Sequence, residues 1–176
     1  MVHLTAESVR RTHIVGCPMA IRRIRLCNFK CFANSGDIPL APLTVIFGRN
    51  NTGKSSILQS LFLLRQTLDS PEYGPRLDLR GPLYPAGGYG DIVHQHVRTE
   101  NVLMVFEVLP APDGKSAKIE LEFKSDEPQP PRLVRLRVDV AGVDPLEICR
   151  GRGQGGPYEL HIGSKSLGLE RKALFR

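Results

Sequence analysis

The sequence predicts an α/β fold: a strand–loop–helix unit carrying an appended antiparallel β-subdomain, and an apparently incomplete one. Three observations predict it. A continuous apolar, β-branched run, Leu43-Thr44-Val45-Ile46-Phe47, leads straight into the glycine-bounded stretch Gly48 to Ser55. Apolar residues at 57, 58, 61, 62, 64 and 68 then recur at helical spacing. Beyond residue 100 the period drops to two, with turn residues between the runs.

Residues 1–18 show no sustained period, and 1–19 are read as a poorly ordered extension. Met19 stands just before the first strand-like segment and is a candidate for the true initiator. Ile14-Val15-Gly16-Cys17 resembles a lipoprotein cleavage site, but the apolar stretch of about 7–15 residues that such a signal needs is missing. The first strand is expected over Ile21–Phe32, with a phase change inside it, and Cys27 and Cys31 are expected to share a buried face with Phe29. A short second strand covers Asp37–Leu40, between Asn34-Ser35-Gly36 and the prolines Pro39 and Pro42. The run Leu43–Phe47 fits a strand buried on both sides of a sheet.

A helix follows over Ser55–Leu68, with an apolar stripe wide enough to expect cover on most of its girth. Asp69-Ser70-Pro71 ends it. Residues 20–70 form the core unit and 71–100 a Pro/Gly-rich irregular connection. Residues 101–165 hold antiparallel strands at Asn101–Leu109, Ala117–Phe123, Leu133–Val140, Leu146–Cys149 and Tyr158–Ile162, and 166–176 a tail. Asp113-Gly114 marks a hairpin turn, and Gly151-Arg152-Gly153-Gln154-Gly155-Gly156 a loop between the last two strands.

Composition narrows the function. Of 176 residues 41% are hydrophobic and 24% charged, which excludes wholesale disorder. The net charge of +6 is concentrated in residues 1–32, so a molecule-wide nucleic-acid surface is not indicated. The longest apolar run is five residues, Val102–Phe106, too short for a membrane helix, and a cytoplasmic location is expected. Four cysteines without a C-x-x-C pair or a matching histidine cluster read as reduced thiols.

Gly48-Arg49-Asn50-Asn51-Thr52-Gly53-Lys54-Ser55 matches G-x-x-x-x-G-K-[ST], a phosphate-binding loop. Glycines at both ends permit backbone angles that turn successive N–H groups toward phosphate oxygens. The helix that opens there adds its positive dipole end. Lys54 can reach the β- and γ-phosphates, Ser55 can offer its hydroxyl to Mg²⁺, and Ser56 can donate to the α-phosphate. ATP with Mg²⁺ is the expected ligand, since no Asn-Lys-x-Asp guanine element occurs.

Hydrolysis needs more: an acid ending a second buried strand and a group that positions water. Glu107 and Asp139 both read as ordinary strand positions. The chain carries half of an ATPase site.

Ile24-Arg25-Leu26-Cys27-Asn28-Phe29-Lys30-Cys31-Phe32, followed by Pro42 to Ser56 and later by Gly90-Asp91-Ile92-Val93-His94, resembles the P-loop NTPase heads of the ABC-type SMC/RecF/OLD group, bacterial "AAA family ATPase" proteins. The resemblance covers about residues 20–100. It implies that Gly48, Asn50, Asn51, Thr52, Gly53, Lys54, Ser55 and Ser56 bind ATP, with Lys54 catalytic, Ser55 on the metal and Gln95 sensing the γ-phosphate. It further implies head dimerisation and work in DNA repair or anti-phage defence. No Leu-Ser-Gly-Gly signature and no Asp–Glu strand occur in this sequence, so a C-terminal lobe or second subunit is the expected partner. Fragment, truncated product and split ATPase all stay open. Two other classes stand beside this reading: a non-enzymatic DNA module gripping phosphates with Arg22, Arg23, Arg25 and Lys30, and a small P-loop kinase.

Overall fold

The computed structural model describes residues 19–70, 75–110, 116–150 and 158–169. Within them lie β1 (Met19–Phe29), β2 (Phe32–Asn34), β3 (Ile38–Pro39), α1 (Lys54–Asp69), α2 (Tyr89–Ile92) and a single 3₁₀ turn (His94–His96). Then follow β4 (Val102–Pro110), β5 (Ala117–Asp126), β6 (Gln129–Val140), β7 (Leu146–Arg150), β8 (Tyr158–Ile162) and β9 (Lys165–Leu169). The strands form one antiparallel sheet in the order β2-β1-β4-β5-β6-β7-β8-β9, with β3 also on β1.

Alternation sorts the sheet into two faces. Ile24 and Leu26 of β1 pair with Phe106 and Met104 of β4, which pair with Ile119 and Leu121 of β5. These apolar rows continue through Val138 and Leu136 of β6. The opposite face carries Arg23, Arg25, Glu107, Lys118, Glu120, Arg137, Asp139 and Glu147, joined in ion pairs across strands (Arg23–Glu107, Arg137–Glu147) and along them (Lys118–Glu120, Arg137–Asp139). Arg25 hydrogen-bonds Asp37 at 2.7 Å and holds that carboxyl below its ordinary range. Glu107 meets Arg23, and Asp139 meets Arg137, as ordinary strand positions do.

The core lies on the apolar face, under Leu63 of α1 and the segment carrying Leu77, Leu79, Ala86, Tyr89, Ile92 and Val93. Each such large side chain contributes about 1.5–3 kcal/mol on burial. The irregular connection is tied down over residues 75–84. Leu77 N–H donates to Pro131, Leu133 N–H to Pro75, and Asp78 N–H to the Thr67 hydroxyl. Gln66, buried inside α1, donates to the carbonyls of Asp78 and Tyr84 and accepts from Tyr84 N–H.

Several expectations need correction. The described residues form a mostly antiparallel sheet with few helices. Leu43–Phe47 pairs with no strand among them and stands open, with Leu43 76%, Val45 68% and Phe47 77% exposed. An apolar β-branched run reports a need for strands on both sides, and among the described residues no strand pairs with it. The helix matches its expected bounds to within one residue, but not its expected cover. Its buried stripe is Ser56, Ile57, Ser60, Leu63 and Gln66, while Leu58, Phe62 and Leu68 face outward.

The first strand turns at Lys30-Cys31 instead of running to Phe32, because Asn28 and Lys30 adopt left-handed backbone (φ 54° and 51°). Phe29 is therefore fully buried, whereas Cys27 is half-buried and Cys31 exposed, so the three do not share a buried face. The strand expected over Asp37–Leu40 shrinks to β3, Ile38–Pro39. Strands β4 to β8 match their expected positions, with β5 and β6 longer. Strand β2, α2, the 3₁₀ turn and β9 were not anticipated, and β9 takes up residues of the expected 166–176 tail. The expected extension, the Asp113-Gly114 turn and the Gly151–Gly156 loop fall wholly or almost wholly outside the described residues, and β1 opens at Met19.

Candidate nucleotide site

Helix α1 begins at Lys54, and Gly53 before it is left-handed (φ 90°, ψ 7°), a backbone that glycine adopts at little cost. No side chain caps this end, and no acid stands in the first turn. The positive end of a sixteen-residue helix is thus left without a negative partner of its own. Gly48 (φ 154°) and Asn51 (φ 65°) supply the other unusual backbone angles of the loop. The Thr52 hydroxyl donates to the Arg49 carbonyl at 2.8 Å and braces the bend.

Lys54 turns back over this bend. Its ammonium donates to the carbonyls of Gly48 at 2.9 Å and Arg49 at 2.6 Å. Both partners belong to the loop itself, so the charge sits within the turn, and among the described residues no carboxylate pairs with it. Asn50, Asn51, Thr52 and Ser55 are exposed, Gly53 and Lys54 half-buried, and Ser56 buried with its hydroxyl 3.6 Å from the Cys31 sulfur. These groups fit a phosphate–Mg²⁺ ligand: backbone donors at a helix start, one ammonium held on the loop's own carbonyls, and an exposed hydroxyl at Ser55 for a hard cation.

The structure also joins motifs that sequence spacing leaves apart. The β1–β2 turn packs on the loop, with Cys31 and Phe32 against Gly53. The same turn holds the 90–94 segment from its other side. Lys30 N–H donates to Ile92 O at 2.7 Å, and the Lys30 ammonium to Asp91 O at 3.1 Å, lying over the Tyr84 ring. His94 Nδ1 meets the Lys30 carbonyl at 2.8 Å, and Phe29 bridges to Val93. One turn thus touches both the glycine loop and the segment that precedes Gln95.

Gln95 itself is exposed and left-handed (φ 52°), as is His96 beside it (φ 60°), whose Nδ1 meets the Gly90 carbonyl. Two consecutive non-glycine residues in this region store strain of about 1–3 kcal/mol each. Gln95 is linked to the loop only through this chain of contacts, and no direct bond joins it to residues 48–56 among the described residues. Sequence reasoning missed the packing role of Cys31 and Phe32 and the anchoring role of Lys30. A positive φ at Lys30 leaves no periodic signal.

A glycine loop opening an uncapped helix, with an ammonium folded inside it, is the arrangement of backbone donors and positive charge that suits an anion. Residues 19–128 match the family model described as AAA ATPase domain, and the chain belongs to that family of nucleotide-binding ATPase domains. No curated protein matches the chain. Among the described residues, no helix is long and apolar enough to cross a membrane.

Proposed function

We propose that this chain is the ATP–Mg²⁺-binding lobe of an ABC-type ATPase of the SMC/RecF/OLD kind, hydrolysing ATP once a C-terminal lobe or partner subunit completes it. The observation that carries the reading is the Lys54 ammonium held on the Gly48 and Arg49 carbonyls at an uncapped helix start. Incoming phosphates take over that ammonium, and the freed loop carbonyls turn to solvent. The loop amides and the helix end then hold the β-phosphate, and the Ser55 hydroxyl is the protein ligand for Mg²⁺. Asn50, Asn51 and Thr52 line the phosphates, and Gln95 faces the γ-phosphate in the completed site.

Completion in cis or trans is supported by the open run Leu43–Phe47 and by the outward Leu58 and Phe62. Apolar groups this exposed mark a surface meant for cover. The DNA-module alternative is weakened by where the basic groups go. Of Arg22, Arg23, Arg25 and Lys30, Arg23 and Arg25 are engaged with Asp37 and Glu107, and the Lys30 ammonium with the Asp91 carbonyl. A role in DNA repair or anti-phage defence follows from the resemblance alone.

The test is thermal melting of the whole chain with and without Mg-ATP, beside Lys54→Ala. A ligand at 100 times its Kd raises stability by about 2.7 kcal/mol. The wild type should show that shift and the variant none. Equal stabilisation of both proteins would reject the reading.

A further inference from the structure

On the charged face of the sheet, the β7–β8 pair brings together three side chains with metal-binding chemistry. Cys149 lies directly opposite Glu159, and His161 stands two residues farther along β8, which returns it to the same face. One ligand atom from each of the three lies within 4.8 Å of the others. His161 Nε2 is already 3.6 Å from the Glu159 carboxylate. Zinc bonds of about 2.0–2.2 Å to nitrogen and oxygen imply a tetrahedral edge of about 3.4 Å, and a thiolate at about 2.3 Å lengthens it only slightly. The histidine–carboxylate edge is thus nearly formed, and rotation of the Cys149 side chain closes the rest.

All three residues are half-buried, so their rotamers are restricted while an ion still has access. A thiolate with an imidazole and a carboxylate suits Zn²⁺, not Mg²⁺ or Ca²⁺, which prefer all-oxygen sets. Arg135 stands opposite Cys149 on β6, but its charge is taken up by Glu147 at 2.9 Å and Glu120 at 3.8 Å. Among the described residues, no other group of three histidine, cysteine or acidic ligands is gathered this closely.

We propose that Cys149, Glu159 and His161 form a Zn²⁺ site that cross-links β7 to β8, a water completing the tetrahedron. The site is independent of the nucleotide loop. It lies on the charged face, whereas α1 packs on the apolar one. Its ligands come from residues that the ATP reading does not use.

The test is a Co²⁺ titration of the reduced full chain, free of nucleotide and Mg²⁺, with Co²⁺ as a coloured stand-in for Zn²⁺. One equivalent should bind, with thiolate charge-transfer absorption in the near ultraviolet and the strong visible bands of four-coordination, and Zn²⁺ should displace it. Cys149→Ser should remove the charge-transfer band. Both it and His161→Ala should weaken binding by at least about 100-fold, beyond the 10–100-fold typical of losing a supporting neighbour. His161 is partly exposed on the sheet surface, so His161→Ala keeps the test available should Cys149→Ser fold poorly. Cys27→Ser, on the same sheet face in β1, should change nothing. A wild type without the charge-transfer band, a band that survives Cys149→Ser, or one that vanishes with Cys27→Ser would overturn the proposal.

Discussion

Gly53 and Phe32 are packed so closely that a β-carbon on Gly53 would collide with the Phe32 ring, and would come within 2.7 Å of the Cys31 sulfur. The residue just before α1 therefore serves two constraints at once: a left-handed backbone, and a seat for the β1–β2 turn.

Gly53→Ala should be costly for both reasons. The backbone angle alone is worth about 1 kcal/mol or more, and the clash must move an aromatic ring or the loop. We expect destabilisation of about 2–4 kcal/mol by urea melts, together with loss of the ATP-induced shift. A variant as stable as wild type would mean that the turn does not seat on the loop.

Gln66 holds the 78–84 segment to α1 by three hydrogen bonds from a buried side chain. Gln66→Ala leaves two carbonyls and one N–H without partners, each costing about 1–3 kcal/mol if water does not reach it. Limited proteolysis is the direct measurement. Cleavage between residues 75 and 88 should speed up at least tenfold while β4 to β6 stay resistant.

Tyr89 gives a pH signature. Its hydroxyl donates to Glu100 O at 2.6 Å, with Phe123 O at 3.2 Å, and accepts from Val102 N–H; burial pushes its phenol from 10.0 up to about 12. The folded value lies above the unfolded one, and the protonated form is the neutral one. Between pH 10 and about 12 the unfolded chain loses this proton while the folded chain keeps it. Stability contributed by Tyr89 is thus full below pH 10 and falls as pH rises, by up to about 1.4 kcal/mol per unit. Tyr89→Phe should lower stability at pH 7 by about 1–3 kcal/mol, and the gap to wild type should narrow across that window. A constant gap from pH 9 to 12 would contradict the assignment.

Phe47, though apolar, should be dispensable for the fold described here. At 77% exposure, Phe47→Asp should change the chain's own stability by no more than about 0.5 kcal/mol. Binding of a hydrophobic dye should fall, and so should self-association in sedimentation. A loss above about 2 kcal/mol would show that residues 43–47 are already packed, against the reading of an open edge.

Some of this protein was legible from its residues alone. Strands β4 to β8 follow from period-two alternation, since each alternate residue must choose between an apolar and a charged face. Helix α1 follows from its spacing and its Ser70-Pro71 stop, and the glycine loop from residue types that few other sites require. All of these are local, set by sterics and by the contrast between water and hydrocarbon within a few residues.

What remained hidden depends on partners distant in sequence. The run Leu43–Phe47 states a demand for cover, but only the fold shows that the described residues do not meet it. The docking of Lys30 on Asp91 and His94 spans about sixty residues and rests on a left-handed turn with no periodic mark. Cys149, Glu159 and His161 meet because two strands pair in one register. Register is fixed by the whole sheet, so that meeting belongs to the tertiary structure.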